Sequence, residues 1–428
     1  MRIWLFKISE PLPVDASINR GRTAMLGAEL ASRGHDVLWW ISSFDHQRKR
    51  MVLPDDAELQ LAPHLTARAL RGIPYRKNLS VRRYVDHQLI AWKFRSRARA
   101  LPRPDAIVAS MPDHLLTFEA VMLARRLGVP ILVDIRDPWP DVFLDHWPPP
   151  ARPVLKAMLA RDYWILRKTL TCADGITSMV SDWLDWGLAK VGRAPTWKDK
   201  VFFIGGPRQL VDPPIPDRIR PLVERVQGSF VVTFVGTFNR NYQPKVVVEA
   251  VEHLRARGTS LGRIDFILAG DGEFFDSVRE LAQGLDNVHF PGWVNRDEIE
   301  AIQSVSSVGV VPALLPTPAF PNKAFGYLSA GLPVLSSNDG DMRRLLLSYD
   351  AGFHFERGDS RKLADQIELL AGQPDVCRRM AHNARRLFGE LLDAERIYSS
   401  FADHVEAVAG DWQERAQDRL AGINERGG

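Results

Sequence analysis

Short apolar runs alternate along this chain with stretches patterned as helices, which predicts parallel sheets assembled from βαβ units. In the first half the pattern places strands near Arg2 to Ile8, Val37 to Ser42, Ala106 to Ser110, Ile131 to Ile135 and Gly175 to Met179. A helix from about Arg22 to Arg33 stops at Gly34, a residue suited to ending a helix. In the second half strands are predicted at Phe230 to Val235, Arg263 to Leu268, Val288 to Phe290, Val308 to Val311, Val334 to Ser336 and Gly352 to Phe355. Pro195, Pro207, Pro213, Pro214 and Pro216 crowd the stretch from Ala194 to Arg218, too many rigid residues for a regular element. Two doubly wound α/β domains are therefore expected. Residues 1–200 form the first and 201–395 the second, with residues 396–428 as a terminal helix that returns to the first domain and frays at its end.

Length agrees with this division, because 428 residues exceed what one core usually serves. Charged residues at 25% and hydrophobic ones at 45% are ordinary for a soluble globular protein. No apolar run approaches the ~20 residues needed to cross a bilayer, and the start of the chain does not read as a signal peptide, so a cytoplasmic location is expected. Cys172 and Cys377 lie far apart without metal-ligand spacing, and no metal site is expected.

Charge changes the picture in one place. From Thr66 to Arg103 eleven Lys and Arg face one acid, Asp86, a local charge of +10 in a chain of net +4. Tyr75, Tyr84, Trp92 and Phe94 are interleaved with these cations, the make-up of a surface that seats on anionic lipid. No nucleic-acid motif accompanies the run, so nucleic acid is not expected as a partner.

In open parallel sheets ligands bind beyond the carboxyl ends of the strands. Three blocks in the second half end strands with small or polar residues: Ala269-Gly270-Asp271-Gly272-Glu273, then Phe290-Pro291-Gly292-Trp293-Val294, then Pro321-Asn322-Lys323 through Gly326 to Pro333-Val334-Leu335. This series resembles the donor half of retaining GT-B glycosyltransferases of the large bacterial family 4, whose members read GDGE, FxGWV and P-x-K-x-x-E-Y-L-A-x-G-x-P-V. Phe203-Ile204-Gly205-Gly206-Pro207 is similar to the family's crossing into its second domain, and Arg136-Asp137-Pro138-Trp139-Pro140 resembles the R-D-x-W-P block of polysaccharide glycosyltransferases. The chain departs from the pattern at Gly326 and Pro318, where the resemblance calls for the two glutamates of the ribose-binding signature.

The resemblance implies a GT-B fold, two Rossmann-like domains facing a cleft, and transfer of a sugar from a nucleotide diphosphate to a polyprenyl-diphosphate-linked glycan. It further implies a place in exopolysaccharide, O-antigen or lipopolysaccharide assembly, peripheral on the cytoplasmic face of the membrane. It assigns donor binding to Gly236, Arg240, Lys245, Gly272, Glu273, Gly292, Trp293, Val294, Asn322, Lys323 and the position of Gly326. Asn322 is expected to cap the helix Ala324 to Ala330, with Lys323 set where a diphosphate docks. On the first domain His114 and Asp137 are the candidates for the reacting centre, and Arg20, Arg22, His46 and Trp139 for the acceptor. Retaining transfer needs no metal or other cofactor if the leaving phosphate itself accepts the proton. Two rival readings remain at this point: a GT-B nucleotide-sugar epimerase, and a non-catalytic scaffold with a degenerate donor site.

Overall fold

The computed structural model describes residues 1–13, 21–78, 80–258, 262–316 and 318–424, with the backbone alone for residues 145, 146 and 419–424. The chain divides into two compact units, one of Met1–Phe202 together with the segment from Tyr398, the other Phe203–Ile397. Among the described residues no helix is long and apolar enough to cross a membrane.

The first unit holds strands β1 (Arg2–Phe6), β2 (Asp36–Ser42), β3 (Phe44–Asp45), β4 (Arg50–Met51), β5 (Ala57–Ala62), β6 (Leu65–Leu70), β7 (Ala106–Ser110), β8 (Ile131–Ile135), β9 (Gly175–Ser178) and β10 (Lys200–Val201). Its helices are α1 (Arg22–Ser32), α2 (Val81–Arg97), α3 (His114–Leu127), α4 (Arg152–Met158), α5 (Ala160–Cys172) and α6 (Ser181–Val191). Eight strands form one sheet in the order β10-β9-β8-β7-β1-β2-β6-β5, and β3 and β4 make a separate ribbon. Every pairing in the large sheet is parallel except the edge strand β5 against β6. Trp4, Phe6 and Trp40 are buried with Phe94 of α2, whose ring meets those of Phe6 and Trp40 edge-on at 4.9 Å.

The second unit holds β11 (Phe230–Val235), β12 (Ile264–Ala269), β13 (Val288–Gly292), β14 (Val308–Val311), β15 (Val334–Ser336) and β16 (Gly352–His354). These form one sheet in the order β13-β12-β11-β14-β15-β16, parallel throughout. Its helices are α7 (Arg220–Arg225), α8 (Lys245–Ala256), α9 (Phe275–Leu281), α10 (Arg296–Ser304), α11 (Asn322–Ala330), α12 (Gly340–Ser348), α13 (Ser360–Gly372) and α14 (Pro374–Leu387). Both faces are covered: along β11, Val231 and Val235 join one core cluster while Val232 and Phe234 join the other. A strand buried on both sides has no reason to alternate with polar residues, which is why these runs are continuously apolar. The last helix, α15 (Ala394–Asn424), counts with the first unit from Tyr398 onward, where Phe401 stacks on Phe202 at 4.3 Å.

The basic segment is in part built into the fold. Leu65–Leu70 is strand β6, flanked in the sheet by β2 and β5, and Tyr75 and Phe94 are buried while Tyr84 is half-buried. Of the expected aromatic residues Trp92 alone stands mainly in solvent. Arg68, Arg71, Lys93, Arg95 and Arg97 pair with carboxylates of Glu58, Asp55, Asp56 and Glu119 from neighbouring elements. Five of the eleven cations are thus matched by tertiary partners from outside the segment.

Candidate active site

In each sheet the chain starts at an inner strand and fills one side before the other, so the strand order reverses between β1 and β7 in the first unit and between β11 and β14 in the second. Such reversal points open a crevice at the carboxyl ends of the strands. The chemistry-bearing residues gather at both.

At the β11–β14 point the chain leaves β11 through Gly236 with φ 154°, leaves β12 through Gly270 with φ 138°, and continues through Gly272 with φ 146°. A Cβ on Gly270 would overlap the Gly236 carbonyl oxygen, so only glycine permits the two turns to pass so closely. The amide of Gly236 donates to the Ala269 carbonyl at 3.0 Å, and that of Gly270 to the Gly292 carbonyl at 2.8 Å, tying the ends of β11, β12 and β13 together. Gly292 itself has φ 73° and ends β13.

Lys323 reaches into this knot from the first turn of α11. Its Nζ is shielded from solvent and has no hydrogen-bond partner. It lies 3.4 Å from the Tyr242 ring centroid and 4.1 Å from that of Phe234. A Cβ on Gly236 would stand 2.5 Å from this nitrogen, so the glycine makes the room the amine occupies. Burial lowers its pKa well below the ordinary lysine value, because aromatic faces replace only part of the hydration a full charge loses.

Helix α11 begins two residues earlier than the sequence predicts. Pro321 is its N-cap, and Asn322 is the first helical residue, exposed, with no side-chain capping bond made at that end. The expectation that Asn322 caps the helix is therefore corrected: Pro321 already has the extended conformation of a cap and the fixed φ that leads into a helix. Arg240 and Glu273, on the turns after β11 and β12, face each other at 3.7 Å, both mostly in solvent. Lys245 opens α8 and pairs with Glu249 at 3.5 Å. Trp293 is 68% exposed, whereas Val294 is part of the core and leaves only its backbone for a ligand. Arg218 fixes this turn by donating to the carbonyls of Pro291 and Trp293 at 3.0 and 2.9 Å while gripping Glu298. At Gly326, Gln303 and Gln209 stand about the empty Cβ position, their amide nitrogens 3.1 and 3.4 Å from it, and Gln209 donates to Gln303.

The β1–β7 point in the first unit is crowded with charge that is already matched. Lys7 follows β1 and meets Asp113 at 3.4 Å; both are buried. Burial works against the Asp113 carboxylate, yet Lys7 and the Ile8 amide hold it at about 2. Burial lowers Lys7 in turn, with Asp113 opposing. His114 opens α3, and its Nε2 bonds Asp162 at 2.7 Å while its Nδ1 is buried without a partner. Trp139 lies 5.2 Å from the His114 ring and 4.4 Å from Phe143, with the Arg83 guanidinium 5.1 Å over its indole. Arg83 also donates to His87, which burial pushes down to about 3. His46 bonds the Tyr75 hydroxyl at 2.6 Å and is pushed down to about 4, first by burial and then by Arg83 and Lys49. Asp137 is half-buried, and burial raises its pKa against the fields of Lys7 and Arg83.

Arg22 does not project toward a ligand. It is 4% exposed and spends its guanidinium on Asp134 at 3.0 Å, on the Phe202 carbonyl and on the Phe401 ring. A cation in the loop-to-helix turn after a strand reads from sequence as a ligand group, but here three residues distant in sequence claim it. Arg20 lies outside the described residues. Sequence reasoning missed Lys7, Arg83, His87, Phe234 and Tyr242 as site groups. Arg83 and His87 carry one signal, a spacing of four that puts both on one face of a helix. Among the described residues no group of three or more His, Cys, Asp or Glu could hold a metal.

Two family profiles match the chain. Residues 20–196 match the one described as "Glycosyl transferase 4-like domain", and residues 217–387 the one described as "Glycosyl transferases group 1". EpsD of Bacillus subtilis (strain 168), described as a glycosyltransferase, is 24% identical over 186 residues, 41% of this chain and 47% of that one. The alpha-D-kanosaminyltransferase of Streptomyces kanamyceticus is 23% identical over 317 residues, 70% of this chain and 76% of that one. The crystal structure of Anabaena Alr3699/HepE in complex with UDP superposes with a TM-score of 0.65 at 16% identity, covering 95% of this chain and all of that one, a likeness of fold.

Proposed function

This chain belongs to the GT-B glycosyltransferases, and from that premise we propose that it is a retaining enzyme that takes its sugar from a nucleotide diphosphate donor. The observation that carries the proposal is Lys323, a shielded amine without a hydrogen-bond partner, held by glycine turns at the reversal point of the second sheet. Such a site lacks a counter-charge and gains one when a diphosphate arrives, so that the amine takes up a proton and makes charge-assisted hydrogen bonds. Arg240, paired only at 3.7 Å and in solvent, supplies a second cation at little cost, because an exposed ion pair of this kind is weak. The exposed Trp293 offers a face for the base beside the Gly292 turn.

In the step itself an acceptor hydroxyl oxygen bonds to the anomeric carbon on the face from which the diphosphate leaves. The bond from that carbon to the phosphate oxygen breaks, and the hydroxyl proton passes to the same phosphate oxygen. The protein positions both partners and offsets the charge that develops on the leaving diphosphate. Asp137, half-buried and raised in pKa, suits a hydrogen bond to an acceptor hydroxyl, and His114 is oriented by Asp162 beside it in the same cluster. We assign the acceptor as a lipid-linked saccharide of surface polysaccharide assembly, a reading supported by the R-D-x-W-P block.

Incubation with nucleotide diphosphate sugars and a lipid-linked acceptor pool, followed by detection of the released nucleoside diphosphate and the stereochemistry of the new linkage, tests this. Transfer with retention is expected. Nucleotide binding without transfer or hydrolysis of any donor would defeat the enzymatic reading.

A further inference from the structure

Away from both strand-end sites, α4 and α5 carry an outward face that nothing among the described residues covers. Val154 is 64% exposed, Met158 76% and Trp164 59%, with the exposed Trp147 and Pro148-Pro149-Pro150 just before them. Val154 and Met158 are four apart on α4, and Arg161, Trp164 and Lys168 are three and four apart on α5, so each set shares one side of its helix. Large apolar side chains held in water in this number mark an interaction surface.

Charge identifies the partner. From Trp147 to Cys172 the cations are Arg152, Lys156, Arg161, Arg167 and Lys168, and the one acid is Asp162. Asp162 is buried and turned inward to His114 and the Tyr84 hydroxyl. The outer face therefore offers aliphatic and indole groups among cations, and among the described residues no carboxylate pairs with Lys156, Arg161, Arg167 or Lys168. We propose that the outer face of α4 and α5, from Trp147 to Lys168, seats on a bilayer that carries anionic headgroups. Indoles and long cationic side chains both favour the zone where acyl chains meet headgroups, and the cations add attraction to negative lipid.

This placement gives the acceptor reading a geometry and rests on that reading for its purpose. The same helix α5 turns Asp162, Ile165 and Leu166 inward and Arg161, Trp164 and Lys168 outward. A membrane on the outer side would thus lie about one helix diameter, roughly 10 Å, from His114. It differs from the Thr66 to Arg103 segment, where Tyr75 and Phe94 are buried and five of the eleven cations already pair with carboxylates.

The test is co-sedimentation of the full chain with phosphatidylcholine vesicles, with and without phosphatidylglycerol, for the native protein, for Val154→Asp/Met158→Asp and for Arg76→Glu/Lys77→Glu. All four positions are exposed, so neither double variant disturbs the core. Native protein is expected to bind the anionic vesicles and to release as salt rises, since the Debye length shrinks from ~10 Å at 0.1 M to ~3 Å at 1 M. The α4 variant should lose about tenfold or more in partitioning and the Arg76/Lys77 variant less. No binding by native protein, equal binding to both lipids, or unchanged binding by the α4 variant would each overturn the proposal, as would capture by an oligonucleotide in place of vesicles. Nucleotide calorimetry on the same preparations separates the two readings: vesicle binding without nucleotide binding would sink the donor assignment and leave this surface standing.

Discussion

The two reversal points solve opposite electrostatic problems. At the second sheet a single amine sits among aromatic rings and glycine turns, shielded and without an anion. At the first sheet Lys7 answers Asp113, His114 answers Asp162, and His87 and His46 shed their protons to escape burial beside Arg83. One site is left short of negative charge and suits a diphosphate; the other is balanced and lined with rings and hydrogen-bonding groups, which suits an uncharged saccharide. Preorganisation therefore means different things in the two units: stored desolvation in one, a completed network in the other.

The sharpest way to break this contrast is Lys323→Met. Loss of a charge-assisted hydrogen bond should weaken nucleotide diphosphate binding by about 1.5–3 kcal/mol, roughly 10- to 150-fold, in calorimetry. The same variant should melt higher at neutral pH than the native protein without ligand. The folded pKa of Lys323 is depressed, so the unfolded chain binds more protons between that value and about 10.4, and native stability rises with pH through this window. Unchanged affinity would remove the donor assignment.

Asp86 checks the claim that the first site is balanced, because it is a buried acid near Arg83 and Asp113 whose charge burial disfavours. Burial raises it to about 6, even though it accepts a hydrogen bond from the Ile73 amide at 2.6 Å. Between the unfolded value near 3.9 and about 6 the folded state holds the extra proton, so its contribution to stability falls as pH rises through that range. Asp86→Asn keeps an acceptor for Ile73 and should gain about 1–2 kcal/mol at pH 7 but little at pH 4, read from thermal melts at both. A gain of equal size at the two pH values would refute the assignment.

Proton uptake sharpens the contrast further. If a diphosphate restores the charge on Lys323, affinity should fall by up to about tenfold for each pH unit above the amine's free-state pKa, with close to one proton taken up. Titrations in buffers of different ionisation enthalpy measure that uptake directly, and its absence would mean the amine is already charged. The smallest effect is expected at Arg240→Ala. Its exposed pair with Glu273 should contribute less than about 0.5 kcal/mol to stability, within the scatter of thermal melts, so that any loss of nucleotide affinity reports on the ligand alone.

Much of the architecture is legible along the chain. Ala106–Ser110, Ile131–Ile135, Phe230–Val235, Val308–Val311 and Val334–Ser336 have the bounds the apolar runs predict, because strands buried on both faces leave an uninterrupted signal. The edge strand β5 and its inner neighbour β6 were not legible. Ala57–Ala62 and Leu65–Leu70 mix charge with small residues, and β6 is held in place by β2, β5 and the Arg68–Glu58 pair.

By itself, then, the sequence determined the two parallel-sheet layers, the glycine turns that follow the strands of the second unit and the placing of Lys323 in the first turn of α11. These follow from local periodicity, from backbone angles that only glycine tolerates and from chain order. The tertiary structure decided which charged groups remain free. Arg22 and five cations of the basic segment were claimed by partners outside their own element, Lys323 was enclosed by Phe234 and Tyr242, and Val154, Met158 and Trp164 were left in water. Burial and pairing depend on what the fold brings within a few ångströms, and a one-dimensional pattern of residue types does not contain that distance.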